Sequence, residues 1–494
     1  MHKTFFLFLL LCSPVIVFSQ NGGERPEKKN KEKPSITQYK IISAKRDTTF
    51  LDTSLTIQRY YKFNYLRKDN FELQQFSNVG QPYNDLSYDF DNINLKPLFL
   101  AQSHHFGYRE IEDMDYYNLP TPLTELYFKT AFKQGQQLDA FFSINTSKQF
   151  NFSIAYKGVR SLGAYQHSLT STGDFRFTTN YHTKNNRYNI LAHVTALDLI
   201  NQQNGGLTDE SILLFESNNS EFRDRGRLEV NFQDAENELK GFRVYGKQEF
   251  ELITKKDSTD QNKLFIGNVM SFEDKSYVFK QDVPFDDYGE SYKTSDLYKK
   301  GKLEDFNIQG YTRFENNYIG SLSAFIGYTN YNYGYNSVII FDDGRIANRL
   351  KGNLVQAGAS YKKTYKGFEL FGKGAINISG DYDGNYLKAG ASYLIKNAHK
   401  ISAEIKTHTT APNFVFLLNQ SDYINYNWQN NFDNVKTQQL KVYFESDKIA
   451  NLSLNYTGID KYTYFAIKEN DSTPTPQQYG ERVDYVKVKL QKEL

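Results

Sequence analysis

The sequence predicts an all-β protein: an antiparallel up-and-down transmembrane β-barrel of about 16–18 strands. Three observations carry that expectation. Apolar and polar residues alternate through segment after segment of roughly ten positions, the length a tilted strand needs to cross a bilayer. Tight turns alternate with much longer loops, as when one rim of a barrel faces the periplasm and the other faces outside. The 494-residue chain carries 38 Tyr and 39 Phe, an aromatic share of 16%, at a mean hydropathy of −0.64. That pairing supplies strand formers in a polar chain and no apolar run long enough for a membrane helix after the N-terminus.

The segments follow in order. Met1-His2-Lys3 is basic, Phe5 to Val17 is apolar, and Val17-Phe18-Ser19 ends in residues suited to cleavage before Gln20. This is the anatomy of a secretory signal peptide over residues 1–19. Cys12, the one cysteine, lies inside it behind a bulky Leu11, which argues against lipid attachment. The mature chain is then cysteine-free, which excludes a disulfide framework, a cysteine-rich zinc module and thiol catalysis. Residues 20–36 include NGGERPEKKNKEKP, a charged stretch bracketed by proline that reads as a solvated linker. Residues 37–118 alternate poorly and are broken by Pro82 and Pro97, which cannot donate to a sheet ladder. Three readings of them stay open: a periplasmic segment, a plug folded into the lumen, or irregular first strands.

Residues 119–494 carry the barrel pattern. Phe150, Phe152, Ile154 and Tyr156 share one face, opposite Asn151, Ser153, Ala155 and Lys157. Ile401, Ala403 and Ile405 oppose Ser402, Glu404, Lys406 and His408. Phe368, Leu370, Ile376 and Ile378 oppose Glu369, Lys373 and Asn377. Leu228, Val230 and Phe232 oppose Arg227, Glu229 and Asn231; Val486, Val488 and Leu490 oppose Lys487 and Lys489. Successive strand side chains point to opposite faces, so each segment has one apolar and one polar wall. Lys184-Asn185-Asn186 and Tyr365-Lys366-Gly367 read as tight turns, and residues 201–222, 281–301 and 420–435 as long loops. Tyr328, Tyr331, Tyr333 and Tyr335, and Tyr423, Tyr426 and Trp428, suit the aromatic girdles of a membrane barrel.

With the apolar faces in lipid, the polar faces line a lumen. The lining residues expected are Glu125, Lys129, Lys157, Arg176, Arg227, Glu229, Arg243, Lys247, Glu249, Lys373, Glu404 and Lys406. Their signs are mixed, so the field alone favours neither anions nor cations. A net charge of +2 gives no footprint for nucleic acid. No P-loop, G-x-S-x-G or H-E-x-x-H motif is present. His104-His105 with Glu110 and Glu112 reads as a surface loop before the first strand rather than a metal site, and the Asp-Gly clusters read as turns. The sequence therefore assigns no catalytic residue, metal or cofactor, and the protein is not expected to be an enzyme.

The stretch Asp47 to Leu73 (DTTFLDTSLTIQRYYKFNYLRKDNFEL), then Asn78 to Leu86 (NVGQPYNDL), Ala411-Pro412-Asn413 and Ser421 to Trp428 (SDYINYNW) resembles the Putative porin family of Bacteroidetes. The resemblance implies an outer-membrane β-barrel of a Gram-negative bacterium, its partners outer-membrane lipid and small hydrophilic solutes. It supplies no catalytic motif. Outer-membrane strands commonly finish on an aromatic residue, whereas this chain stops at Lys492-Glu493-Leu494, so a barrel incomplete at its C-terminus is an open alternative. The function expected is a porin-like channel for passive diffusion. The alternatives are a plugged, energy-coupled transporter and a barrel scaffold or adhesin with binding loops. A homo-oligomer or an envelope-protein partner also stays open.

Overall fold

The structure is a computed structural model that describes residues 33–492, except 132–133, 254–261, 342–343, 397 and 468–472. The signal peptide and nearly all of the linker lie outside the described residues. Residues 36–494 form one compact unit.

The alternating segments form a 16-stranded antiparallel sheet in which every strand pairs with its neighbours in the chain. The strands are β1 (Leu123–Ala131), β2 (Gly135–Ser147), β3 (Phe150–Ser161), β4 (Thr170–His182), β5 (Tyr188–Gln203), β6 (Ala235–Ile253), β7 (Lys263–Gln281) and β8 (Leu297–Asn316). They continue as β9 (Gly320–Gly334), β10 (Arg349–Tyr365), β11 (Phe368–Gly380), β12 (Asn385–Ile395), β13 (His399–Thr410), β14 (Val435–Ser446), β15 (Asn451–Asp460) and β16 (Val483–Gln491). The order is up-and-down throughout, and the even strand number sets β16 antiparallel to β1, as closure of a barrel requires. Those two edge strands are not paired with each other among the described residues.

The period-two pattern decides which face is which. On β3, Ile154 and Tyr156 are exposed while Asn151, Ser153 and Lys157 are buried. On β13, Ile401 and Ile405 are exposed while Lys406 and His408 are buried. Val486, Val488 and Leu490 of β16 stand 61%, 65% and 72% exposed. A soluble sheet buries its apolar face, and this one buries its polar face. The inversion suits a sheet whose outer face meets lipid. Among the described residues, no helix is long and apolar enough to cross a membrane.

The connections alternate in length as the sequence suggests. One rim carries short turns such as 148–149, 317–319 and 366–367; the other carries 204–234, 282–296, 335–348, 411–434 and 461–482. At 366–367 both residues have positive φ, 46° for Lys366 and 83° for Gly367. This is the geometry of a two-residue hairpin turn matched to strand twist, which glycine adopts without penalty. The long loops hold structure of their own, including α1 (Asp209–Glu216) and the short α2 (Phe414–Leu417).

Two expectations are corrected here. Arg227 and Glu229 are not on a barrel strand. Arg225–Arg227 is a single 3-10 turn, and Val230 bridges Leu207 within loop 204–234. Leu228, Val230 and Phe232 alternate because they turn inward under that loop. Tyr331, Tyr333 and Tyr335 are no lipid girdle, for they are 2%, 0% and 3% exposed on the inner face. Tyr328 points outward at the end of the apolar series Leu322, Ile326, Tyr328.

Candidate functional site

Residues 36–118 lie against the polar face of the sheet. Their own order is modest: Lys40–Ser43 pairs antiparallel with Thr48–Phe50 on one side and with Asp115–Asn118 on the other. Most of the segment is irregular, so its stability has to come from the wall.

Its polar contacts run from one end of the sheet to the other. Arg67 meets Glu125 of β1 at 2.5 Å and lies 4.1 Å over the ring of Tyr127. Asn78 donates to the carbonyls of Ser161 and Ser168 at 3.0 and 2.8 Å. Arg109 meets Asp174 of β4 at 3.0 Å, and the Tyr116 hydroxyl meets His193 Nδ1 of β5 at 2.7 Å. Lys96 pairs with Asp305 of β8. Further round, Asn377 of β11 donates to the Leu95 carbonyl at 2.7 Å, and His408 of β13 contacts the Asn94 carbonyl at 2.7 Å. Lys441 of β14 pairs with Asp91. Glu72 meets Lys487 and Lys489 of β16 at 3.3 and 2.6 Å, and the Lys489 ammonium beside it holds the Glu72 carboxyl below the usual range.

Arg67 and Glu72, five positions apart, thus grip the first and last strands. A stretch that short spans at most about 18 Å, so the sheet curls round the segment and brings its edges to the same place. Residues 36–118 therefore lie within the curve of the sheet, against its polar face from β1 to β16, and are called the plug.

The densest seat is at the centre of the wall. Arg243 of β6, 1% exposed, bonds Glu273 Oε1 of β7 at 3.0 Å, the Arg109 carbonyl at 2.5 Å and His193 Nε2 at 3.1 Å. Lys275 of β7 meets Glu110 of the plug at 3.0 Å and Glu273 at 3.3 Å. The Tyr108 hydroxyl donates to Glu273 at 2.7 Å. Gly241 makes room for it: a Cβ there would lie 2.4 Å from a carbon of the Tyr108 ring. Buried charges persist only when paired and hydrogen-bonded, and here plug and wall each supply the other's partners.

An apolar layer lies beside this network. Phe99, Leu100 and Tyr108 of the plug pack with Leu197, Leu239, Leu303, Tyr331, Tyr333 and Leu354 of the wall and with Phe414 and Leu418 of loop 411–434. Phe414 is fully buried, stacks on Tyr333 with ring centroids 4.5 Å apart, and donates its N–H to the Leu98 carbonyl at 3.0 Å. The loop reaches down from the long rim and the plug meets it from within.

The lining residues expected from the sequence divide clearly. Lys157 lies 4.0 Å from the Tyr65 ring, Lys129 donates to the Phe63 carbonyl at 3.2 Å, and Lys247 donates to the Ala44 carbonyl at 3.1 Å. Lys406 donates to the Phe90 carbonyl, and Arg243 and Glu125 hold Arg109 and Arg67. Arg176 pairs with Asp139 and Asp174, the latter shared with Arg109. Glu249 meets Arg46 and Arg313, and Glu404 pairs with Lys388. Lys373 faces inward without a partner among the described residues. Arg227 pairs with Glu221 in an exposed loop, and Glu229 shares that loop. Sequence reasoning did not single out Glu273, Lys275 or Arg109, and it weighed Glu110 only as a metal ligand beside His104-His105; Glu273 and Lys275 carried a usable signal, two charges on one face of a strand.

His104 and His105 are also corrected: they sit in a 3-10 turn, Gln102–Gly107, packed on Tyr277 and Phe99 inside the lumen. Burial depresses the His104 imidazole to about 4 and, with Lys275 adding to it, the His105 imidazole to about 3. Both are neutral at physiological pH. Among the described residues, no group of three or more His, Cys, Asp or Glu could hold a metal ion.

Comparison with known proteins agrees with this architecture. A family model described as Putative porin matches residues 35–494. No curated protein matches the chain in sequence. Among solved structures, a mutant of the ferric enterobactin receptor from Pseudomonas aeruginosa, in complex with enterobactin, is similar at a TM-score of 0.50 and 7% identity, over 75% of this chain and 59% of that one. The copper transporter OprC is similar at a TM-score of 0.50 and 8% identity, over 75% of this chain and 58% of that one. At such identity the likeness is one of fold, and the chain spans about three fifths of the length of the structures it matches.

Proposed function

This chain belongs to the Putative porin family, a β-barrel of the Gram-negative outer membrane, and from that premise we propose that it is a gated, plugged transporter of small hydrophilic solutes with no catalytic chemistry of its own. The observation that carries the reading is the occupancy of the lumen by residues 36–118. Barrels of 16–18 strands ordinarily leave an aqueous channel. Here the charges that would line such a channel are spent on the plug: Arg243, Lys157, Lys247, Lys406 and Lys129 all contact it. A passive channel open at rest would need those groups hydrated and a continuous water path, and the apolar layer around Phe99 and Phe414 stands across it. Passage then requires the plug to shift, and polar contacts that exchange for water at modest cost suit a reversible seat better than a sealed apolar core would.

Single-channel recording of the full chain refolded into a planar bilayer tests this. Wild type is expected to stay closed, with rare brief openings. Gly241→Val, whose side chain would collide with Tyr108, is expected to open often. Steady conductance from wild type would contradict the gate and restore the passive channel.

A further inference from the structure

Strand register sets one row of side chains across the inner face from β10 to β14. Ser360 stands opposite Lys373, Lys373 opposite Lys388, Lys388 opposite Lys406, and Lys406 opposite Gln439. Residues directly opposite on antiparallel strands have Cβ atoms roughly 5 Å apart, and like charges placed so destabilise the pair. Lys373, Lys388 and Lys406 are thus consecutive ammonium groups held in mutual repulsion.

Two of them are answered. Lys388 meets Glu404 at 2.7 Å, and Lys406 donates to the Phe90 carbonyl beside the Lys441–Asp91 pair. Lys373 has neither a carboxylate nor a carbonyl partner among the described residues. The charges in its field are Lys388 and Lys45 on one side of the balance, Glu404 and Glu112 on the other.

Lys45 comes from the plug. It lies at the tip of the hairpin that joins Lys40–Ser43 to Thr48–Phe50, is exposed, and makes no ion pair among the described residues. The tip is anchored on both sides of it: Lys247 donates to the Ala44 carbonyl at 3.1 Å, and Arg46 reaches Glu249 at 3.8 Å. Two cations without an ion-pair partner among the described residues, one on the plug and one on the wall, thus share one field. The wall around them carries Ser360 and Ser392, the Phe325 and Phe371 rings pack on Gly358 and Gly390, and solvent reaches Lys373 and Lys388.

We propose that Lys45, Lys373 and Lys388, with the Ser360 hydroxyl, bind an oxyanion group, the phosphate or carboxylate of a small solute, between plug and wall. Ammonium groups and a hydroxyl converging without a full set of counter-charges are what an oxyanion's several acceptor oxygens satisfy. An anion there contacts both bodies at once, so its arrival alters the forces that hold the plug. The inference names the substrate class of the proposed transporter and rests on that reading, but binding is measurable whether or not anything passes.

The test is calorimetric titration of the full chain, refolded in detergent micelles, with inorganic phosphate and with citrate, maltose serving as the neutral control. Saturable binding of at least one anion and none of maltose is expected. Lys373→Ala and Lys45→Ala should each weaken it about tenfold, the worth of one hydrogen bond to a charged group. Lys293→Ala, in a rim loop, should not. Lys373→Ala removes a repulsion and Lys45 is exposed, so both variants should fold, as heat-modifiable migration on a gel would verify. Phosphate binding alone assigns a phosphorylated solute, and citrate binding alone a carboxylate. Failure of both anions to bind, or binding that both variants leave intact, would overturn the site. Steady wild-type conductance with anion binding intact would instead remove the gate and leave the site standing.

Discussion

Arg243→Ala is expected to unseat the plug while the barrel wall stays folded. Its guanidinium is the hub through which wall residues Glu273 and His193 and the plug's Arg109 carbonyl and Glu110 are satisfied together. Truncation leaves Lys275 as the one cation shared by Glu273 and Glu110, with the Tyr108 hydroxyl still on Glu273. Breaking a buried pair from one side costs about 3–5 kcal/mol, because a desolvated charge is left behind. The low end of that range is roughly a hundredfold in an opening equilibrium. The loss falls on plug contacts, whereas the ladder bonds of β1–β16 do not pass through Arg243. Hydrogen exchange should therefore show protection falling about a hundredfold in residues 99–118 and holding in the strands. Arg243→Lys is expected to rescue little, since a single ammonium cannot address partners on three sides.

Phe414→Ala should release loop 411–434 from the lumen. The ring is fully buried between Tyr333, Tyr331 and Tyr382, and deletion of such a ring costs about 3–5 kcal/mol with the cavity left behind. The reporter is built in. Trp428 is the one tryptophan of the chain, and its Nε1 donates to the Val415 carbonyl at 2.8 Å within the same loop. In Phe414→Ala its emission should shift to the red and become quenchable by iodide, with heat-modifiable migration unchanged. An unshifted spectrum would mean that the loop is held by the aromatic cluster of Tyr288, Tyr423 and Tyr426 rather than by Phe414.

The wall was legible in the sequence because lipid on one side and polar groups on the other impose a strict period of two over ten or more residues. Ile154 against Lys157, and Ile405 against Lys406, needed no knowledge of neighbours. The error at Leu228, Val230 and Phe232 came from the shortness of that run: three alternating residues look alike in a strand and in a loop turned inward. Tyr331, Tyr333 and Tyr335 were misplaced although a signal existed. Ile326 and Tyr328 fix even positions as outward on β9, which leaves the odd tyrosines inside. The site was less legible, for a different reason. The plug partners of Arg243, Glu110 and the Arg109 carbonyl, lie more than a hundred positions away, and the row from Lys373 to Lys406 exists only through register. Neither leaves a local trace. Poor alternation and two prolines in residues 37–118 left three readings open, because contacts across so many positions leave no local mark.

Cysteine accessibility tests whether residues 36–118 fill the lumen. In a Cys12→Ala background, Leu100→Cys places a thiol at a plug position that is 3% exposed, and Leu55→Cys places one at a position 85% exposed. With the full chain in liposomes, a water-soluble maleimide should modify Leu55→Cys readily and leave Leu100→Cys unmodified until urea is added. Equal labelling of the two without denaturant would contradict the account, since it would put Leu100 in water and the plug outside the barrel.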